Sequence, residues 1–282
     1  MDTHANLNTS VFALYGRYLL PRGGEIWLGT LVRALSTLDF SEAAVRSTVL
    51  RMKKKGYLQS RRLGRRSFYW LTDMGLERLN QGGFRFSISP DDEWDGQWTI
   101  VIYSIPEEQR GRRDALRSLL KWWGFGMLAP GIWLSTRPLP AEAESNWREL
   151  DIWKYLNVFR SEYLGPGDPS TVAAMAFPQL PTLADLYQDY IAKCESVLRR
   201  FEAGLLDDEE CFACRLRNIS EFVPIILKDP TLPSSLLPED WPRYAAQSLS
   251  DELQQALLEP AERFFDSIYK PTEETNDRKT HM

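Results

Sequence analysis

The chain has 282 residues, 43% of them hydrophobic and 26% charged, an ordinary balance for a globular protein with two or three modest domains. No apolar run nears twenty residues and the opening MDTHANLNTS lacks a leader's basic and apolar regions, so neither a membrane span nor a secretory signal is predicted. Three cysteines, an odd number, point to a reducing cytoplasm and no disulfide framework.

Charge is divided unevenly. Residues 1–80 carry 13 Lys and Arg against 6 Asp and Glu, a net of +7, while the remainder carries 21 against 33, a net of −12. A basic head on an acidic body places any polyanion contact at the head.

Residues 9–20 predict a first helix, stopped by Pro21 and Gly23-Gly24. A second is expected over Leu28–Leu38, with Leu31, Val32, Leu35 and Leu38 as its buried stripe. Asp39-Phe40 then turns the chain into SEAAVRSTVLRMKKKGYLQSRRLGRRSFYWL, residues 41–71. Ser41 can cap a helix start, and Glu42 suits the positive end of its dipole. Val45, Val49 and Met52 recur at i, i+4 and i+7 and form one apolar seam. At about 100° per residue the opposite face carries Ala43, Ser47, Arg51 and Lys54, with Arg46 and Lys53 on one flank. Gly56 ends the helix.

Two short strands follow, Tyr57–Arg62 and Arg65–Leu71, around a tight turn at Leu63-Gly64. Arg61, Arg62, Arg65 and Arg66 crowd the tip of that ribbon. A small basic helix trailed by a hairpin with an arginine tip is the pattern of a winged helix-turn-helix. The helix fits the major groove, and the tip reaches phosphates or the minor groove. A charge run on a helix is more often only a solvated face. Here the hairpin arginines, the two preceding helices and the local charge balance favour DNA. The candidate contacts to a double-stranded operator are Ser41, Ala43, Arg46, Ser47, Arg51, Lys53, Lys54, Arg61, Arg62, Arg65 and Arg66.

Thr72 can cap a helix through Leu79, and Gln81-Gly82-Gly83 reads as a linker. Trp98–Ile105 is a β-branched and aromatic strand, Glu107–Trp123 an amphipathic helix, and Phe125–Ser135 a strand or hairpin. A shorter helix over 141–150 and a strand over Leu156–Tyr163 complete a ferredoxin-like pattern. Beyond the break at 165–169, helices are expected over 183–201, 209–228 and 244–258. The predicted fold class is α+β: a winged-helix head (1–82), a ferredoxin-like middle domain (83–168), a helical C-terminal domain (169–270) and a disordered polar tail (271–282).

Enzyme chemistry finds little to work with. The two histidines, His4 and His281, sit near the ends of the chain, where neither is held beside a nucleophile. No P-loop or dinucleotide-binding fingerprint is present. Cys211-x2-Cys214 has a metal-like spacing, but with Cys194 it supplies three of the four ligands that structural zinc needs. No enzyme activity, metal or cofactor is expected. The tryptophans at 94, 98, 122, 123, 133, 147 and 153 read first as core, and second as an aromatic wall that would suit an aryl ligand.

Three stretches together resemble the PaaX-type transcriptional repressors of phenylacetate catabolism. They are WLGTLVRAL…FSEAAVRSTVLRMKKKGYL…GRRSFYWLTDMG in the head, GQWTIVIYSIPEEQRGRRDALRSLLKWWGFGMLAPGIWLS in the middle, and DPTLPSSLLPEDWP with Ala245-Ala246 near the end. The resemblance implies a homodimer released from its operator by an aryl-CoA thioester, phenylacetyl-CoA in the type members. Two positions depart from the pattern: Ser220–Ile226 lacks its His and Arg, and Arg243 stands where a glycine often follows Trp-Pro. Both lie in the presumed regulatory part. A CoA thioester needs fixed cations beside an apolar cleft. Arg243, beside Trp241 in the resembling loop, is the first candidate for effector binding, with Arg215 and Arg217 behind it.

The middle domain also resembles the small ferredoxin-like endonucleases of CRISPR adaptation, which place an aspartate after the first strand to hold a divalent metal. Ser104 occupies that place and brings no charge to hold Mg²⁺. An assembly role is then the plain reading.

Overall fold

The computed structural model describes residues 6–84 and 94–269; the expected tail at 271–282 lies outside them. Two compact units share the chain, one built from residues 1–86, 187–226 and 245–282, the other from 87–186 and 227–244.

The head begins with α1 (Leu7–Leu14), whose Asn6 cap accepts the Asn8 N–H at 3.0 Å. The expected single helix over 9–20 is broken into three gaits. After α1 come one π-helical turn at Tyr15–Leu19 and one 3-10 turn at Leu20–Arg22. The wide turn leaves both Tyr15 and Tyr18 fully buried. A two-residue strand β1 (Ile26–Trp27), α2 (Leu28–Ser36) and α3 (Glu42–Lys54) follow. The hairpin is β2 (Leu58–Leu63) and β3 (Arg66–Leu71), and β1 pairs with the far edge of β3, so the sheet order is β1-β3-β2. The turn is Gly64-Arg65, one residue later than the sequence pattern placed it. Gly64 takes a φ of 59° there, which a two-residue hairpin needs and glycine supplies without strain. α4 (Asp73–Phe84) runs through 81–83, the expected linker. Leu76 and Leu79 pack its first turns onto the head's core, and propagation from a formed helix is easy even through glycine.

The second unit is a ferredoxin-like βαββαβ fold. β4 (Gln97–Tyr103), α5 (Arg110–Trp122), the hairpin β5 (Gly126–Ala129) and β6 (Ile132–Ser135), α6 (Ala143–Glu149) and β7 (Leu156–Glu162) succeed one another. The antiparallel sheet runs β5-β6-β4-β7. Val101 and Tyr103 of β4 and Trp133 of β6 share a core with Leu116 and Leu120 of α5 and Trp147 of α6, which places both helices on one face. A further helix, α7 (Pro169–Ala176), was not foreseen. Asp168 caps it by accepting the Ser170 N–H at 2.7 Å, and Pro169 sits in the first turn, where no N–H is required.

Four helices complete the chain: α8 (Leu180–Glu202), α9 (Asp208–Ile226), α10 (Arg243–Ala256) and α11 (Leu258–Ile268). The last of these was missed. Pro260 looks like a breaker, but it lies within the first turn, and Ala261, Phe264, Phe265 and Ile268 make a helical stripe.

Helices α9 and α11 do not form a core of their own. Phe212, Ala213 and Leu216 of α9 and Ala261, Phe264 and Phe265 of α11 lie in one cluster with Val11, Leu14, Tyr18, Leu35 and Val45 of the head. The Tyr18 ring is 5.0 Å from Phe212 and 4.9 Å from Phe265. Polar ties ring this core. Arg33 grips Glu209 through two bonds of 2.8 and 2.6 Å, Arg22 pairs with Glu262 and Asp266, and Ser10 bonds Ser220 at 2.9 Å. Winged helix and C-terminal helices are one folded body.

Candidate nucleic-acid interface

Local chemistry fixes α3 at both ends. The Ser41 hydroxyl accepts the Ala44 N–H at 3.2 Å. At the other end Gly56 (φ 80°) donates to Lys53 O and Tyr57 to Met52 O, the paired bonds of a Schellman cap. A Cβ on Gly56 would only have to displace the flexible end of the exposed Met74 side chain, so it is the left-handed φ that reserves the position for glycine. Val45, Thr48, Val49 and Met52 are buried, which leaves Ala43, Arg46, Ser47, Arg51, Lys53 and Lys54 exposed.

Those side chains are not equally available. Arg46 pairs with Glu42 at 2.7 Å across one exposed turn, a contact worth only a few tenths of a kcal/mol that a phosphate can replace. Arg51 donates one guanidinium nitrogen to Thr48 Oγ1 at 2.9 Å and keeps its other donors. Lys53 reaches Ser60 of β2 at 2.7 Å and so braces helix against wing. Lys54, and Lys55 beside it, make no hydrogen bond or ion pair with the described residues. Lys55 and the exposed Leu50 belong to this surface too, although the apolar-seam argument passed over both.

The wing divides its four arginines. Arg61 is engaged by Glu25 in a two-pronged pair of 2.7 and 2.9 Å, and Glu25 is largely buried. Arg66 lies over the Trp27 ring at 5.0 Å. Both partners flank or form β1, which no sequence pattern revealed. Arg62 donates to Gly64 O at 3.0 Å across the turn, and Arg65 stands at the tip with no bond to a described residue. Of the four, Arg62 and Arg65 are therefore the ones best placed to meet a phosphate backbone.

Two expectations follow for this face. Arg51→Ala should cost about 1–3 kcal/mol at one operator position and relax base preference there. Equal weakening on operator and random duplex, read by anisotropy, would reduce Arg51 to a phosphate contact. Arg65→Ala should flatten log K against log salt by about one unit for each protomer bound. An unchanged slope removes the wing tip from the interface.

The effector candidates lie in different units. Arg243 and Trp241 belong to the unit with the ferredoxin-like sheet, where both are buried. Arg243 Nη1 lies 3.8 Å from Asp229 Oδ1, and the same carboxylate accepts the Thr231 N–H at 2.6 Å. Arg137 adds a bond to Thr231 O at 3.4 Å. These contacts fasten the 229–233 loop, with Thr231 at φ 57°. Arg215 and Arg217 lie on α9 in the other unit. Arg215 is buried, donates to Gln254 O at 3.1 Å, approaches Glu262 at 3.6 Å and covers the Tyr18 ring. Arg217 meets Asp39 at 3.5 Å, in the turn that leads into α3.

The thiols are set in apolar or hydrogen-bonded surroundings. Burial pushes Cys211 up to about 11, and Cys194 lies beside the Asn218 amide. Ser104, after β4, is exposed, and its N–H donates to Tyr155 O at 3.1 Å. Among the described residues, no cluster of three or more His, Cys, Asp or Glu could hold a metal ion, and no helix is long and apolar enough to cross a membrane.

Residues 7–75 match the family described as PaaX-like protein, 91–173 the PaaX protein central Cas2-like domain, and 179–267 the PaaX-like protein C-terminal domain. The chain is 31% identical over 260 residues to the transcriptional repressor PaaX of Escherichia coli (strain K12), covering 90% of this chain and 81% of that protein. It belongs to the PaaX-like family. An uncharacterized protein, Rv0674 from Mycobacterium tuberculosis, shares the fold with a TM-score of 0.61 at 20% identity, over 95% of this chain and 99% of that one. The three-part α+β architecture of a PaaX-like protein is thus the one described above, with the Cas2-like part as its ferredoxin-like middle.

Proposed function

We propose that this PaaX-like protein is a cytoplasmic repressor that binds operator DNA through α3 and the wing tip. The observation that carries the reading is the outward face of α3. It is capped at both ends, lined by Ser47, Arg51 and Lys54, and braced to the wing by Lys53.

One recognition helix reads only a few base pairs, so a homodimer on half-sites about one helical turn apart is part of the proposal. The ferredoxin-like sheet offers the contact. Helices α5 and α6 cover one face, while Ile102 and Phe159, 36% and 52% exposed, lie on the other, Ile102 beside Ile132 and Phe159 beside Ile100. The Cas2-like middle serves assembly in this reading and not nuclease chemistry, since Ser104 carries no charge for a divalent ion.

The regulated operon is of the aromatic-acid, phenylacetate type, and phenylacetyl-CoA or a related aryl-CoA thioester releases the DNA. The shared core supports such a coupling, because a ligand that shifts α9 also shifts the packing of α1 and α2. A second reading, a DNA-binding assembly protein without an effector, is favoured by one fact: Arg215 and Arg243 are both buried beside carboxylates. Titration of a labelled operator complex with a panel of acyl-CoAs separates the two. Release by aryl thioesters alone supports the first reading, and no release by any thioester supports the second.

A further inference from the structure

Leu50 lies in the middle of the outward face of α3, one turn from Ser47 and one from Lys54, with Ala43 two turns back on the same stripe. It is 61% exposed and takes no part in the core that Val45, Val49 and Met52 join from the opposite side of the helix. The side chains around it are Arg46, Arg51, Lys53 and Lys54, all exposed. A bare isobutyl group gains nothing from water among four cations. In the major groove it meets one apolar feature, the 5-methyl group of thymine.

We propose that Leu50 reads a thymine methyl in each half-site of the operator. The proposal rests on the DNA-binding role of α3 given above and adds the chemistry of one base position to it. Ala43 shares the stripe but carries too short a side chain to reach as far. Ser47 and Arg51, on either side, supply the polar part of the reading. Recognition then combines a hydrogen-bonding position with an adjacent apolar one, so that a thymine is distinguished from a cytosine by its methyl as well as by its O4 acceptor.

Removing the methyl and nothing else tests this. The full-length protein first enriches its own operator from a random duplex pool, and each thymine of that duplex is then replaced singly by deoxyuridine. One thymine per half-site should lose about fourfold in affinity, and both together about fifteenfold, the effect of one buried methyl used twice. Leu50→Ala should bind the native duplex as weakly as the wild type binds the doubly substituted one, and should no longer distinguish thymine from uracil. Ser47→Ala should still distinguish them. Thermal unfolding of Leu50→Ala should match the wild type, since the side chain packs on nothing in the core.

The proposal falls if no uracil substitution matters, or if the penalty is undiminished in Leu50→Ala. Failure of the pool to enrich any duplex would instead overturn the DNA-binding reading and this one with it.

Discussion

Phe212→Ala should destabilise the DNA-binding head, although residue 212 is far from it in sequence. The ring is fully buried, 5.0 Å from Tyr18 and 5.1 Å from Phe264, and stacked at 5.9 Å on Phe265. Truncating such a side chain removes its transfer energy and leaves a cavity, together about 3–5 kcal/mol. That is a large part of the 5–15 kcal/mol that holds a typical domain together. Because α1, α9 and α11 share one core, denaturant should unfold head and C-terminal helices in a single transition, displaced to lower concentration. DNA binding should be lost over the same range. Leu116→Ala, in the other unit's core, should leave that transition in place. Two separate transitions, with the head unmoved by Phe212→Ala, would mean that the shared core does not couple them.

Phe159→Asp should dissociate the proposed homodimer. Phe159 is on the edge strand β7, paired with Ile100 and half exposed on the sheet face opposite α5 and α6, at the far side of the sheet from β5, where α7 packs. In a two-fold interface each residue is used twice. Withdrawing two phenylalanines from burial, at about 1.5–3 kcal/mol each, weakens association by roughly two to four decades before charge repulsion is added. Operator affinity should fall with it, because linked half-site binding is lost. Sedimentation or light scattering at micromolar concentration reads the first effect and anisotropy the second. A variant that stays dimeric moves the interface elsewhere.

Helix α3 was legible in the sequence because its signals are local. Ser41 caps, Val45, Val49 and Met52 repeat at helical spacing, and Gly56 stops the chain, all within sixteen residues. The ferredoxin-like sheet was legible for a similar reason, since WTIVIY can hardly be anything but a buried strand. What the pattern hid were partnerships across long stretches of chain. Arg61 and Arg66 look like equal members of a basic tip until Glu25 and Trp27 arrive beside β1, a strand too short to leave a period. Phe212 falls in a stretch expected to belong to a separate helical domain and Phe265 in a helix that was not expected, and only the fold brings both to Tyr18. Arg243 looked like a ligand for an anion, and Asp229 already stands beside it. Pro260 concealed α11 because a proline in a first turn and a proline that breaks a helix are the same letter.

The claim that α3 carries operator recognition is tested most directly by moving one charge change between two basic helices. One variant combines Arg46→Gln, Arg51→Gln and Lys54→Gln on α3; the other combines Arg110→Gln, Arg112→Gln and Lys121→Gln on α5. Net charge is the same in both, so any general attraction to DNA is matched. Affinity for the enriched operator, measured against salt, should fall about hundredfold or more for the α3 variant, with up to about three units lost from the slope for each protomer bound. The α5 variant should stay within about threefold of the wild type, since its arginines lie beside Asp114 and Asp151 on the ferredoxin-like unit. Equal losses from both variants, or operator binding that survives the α3 changes, would contradict the account.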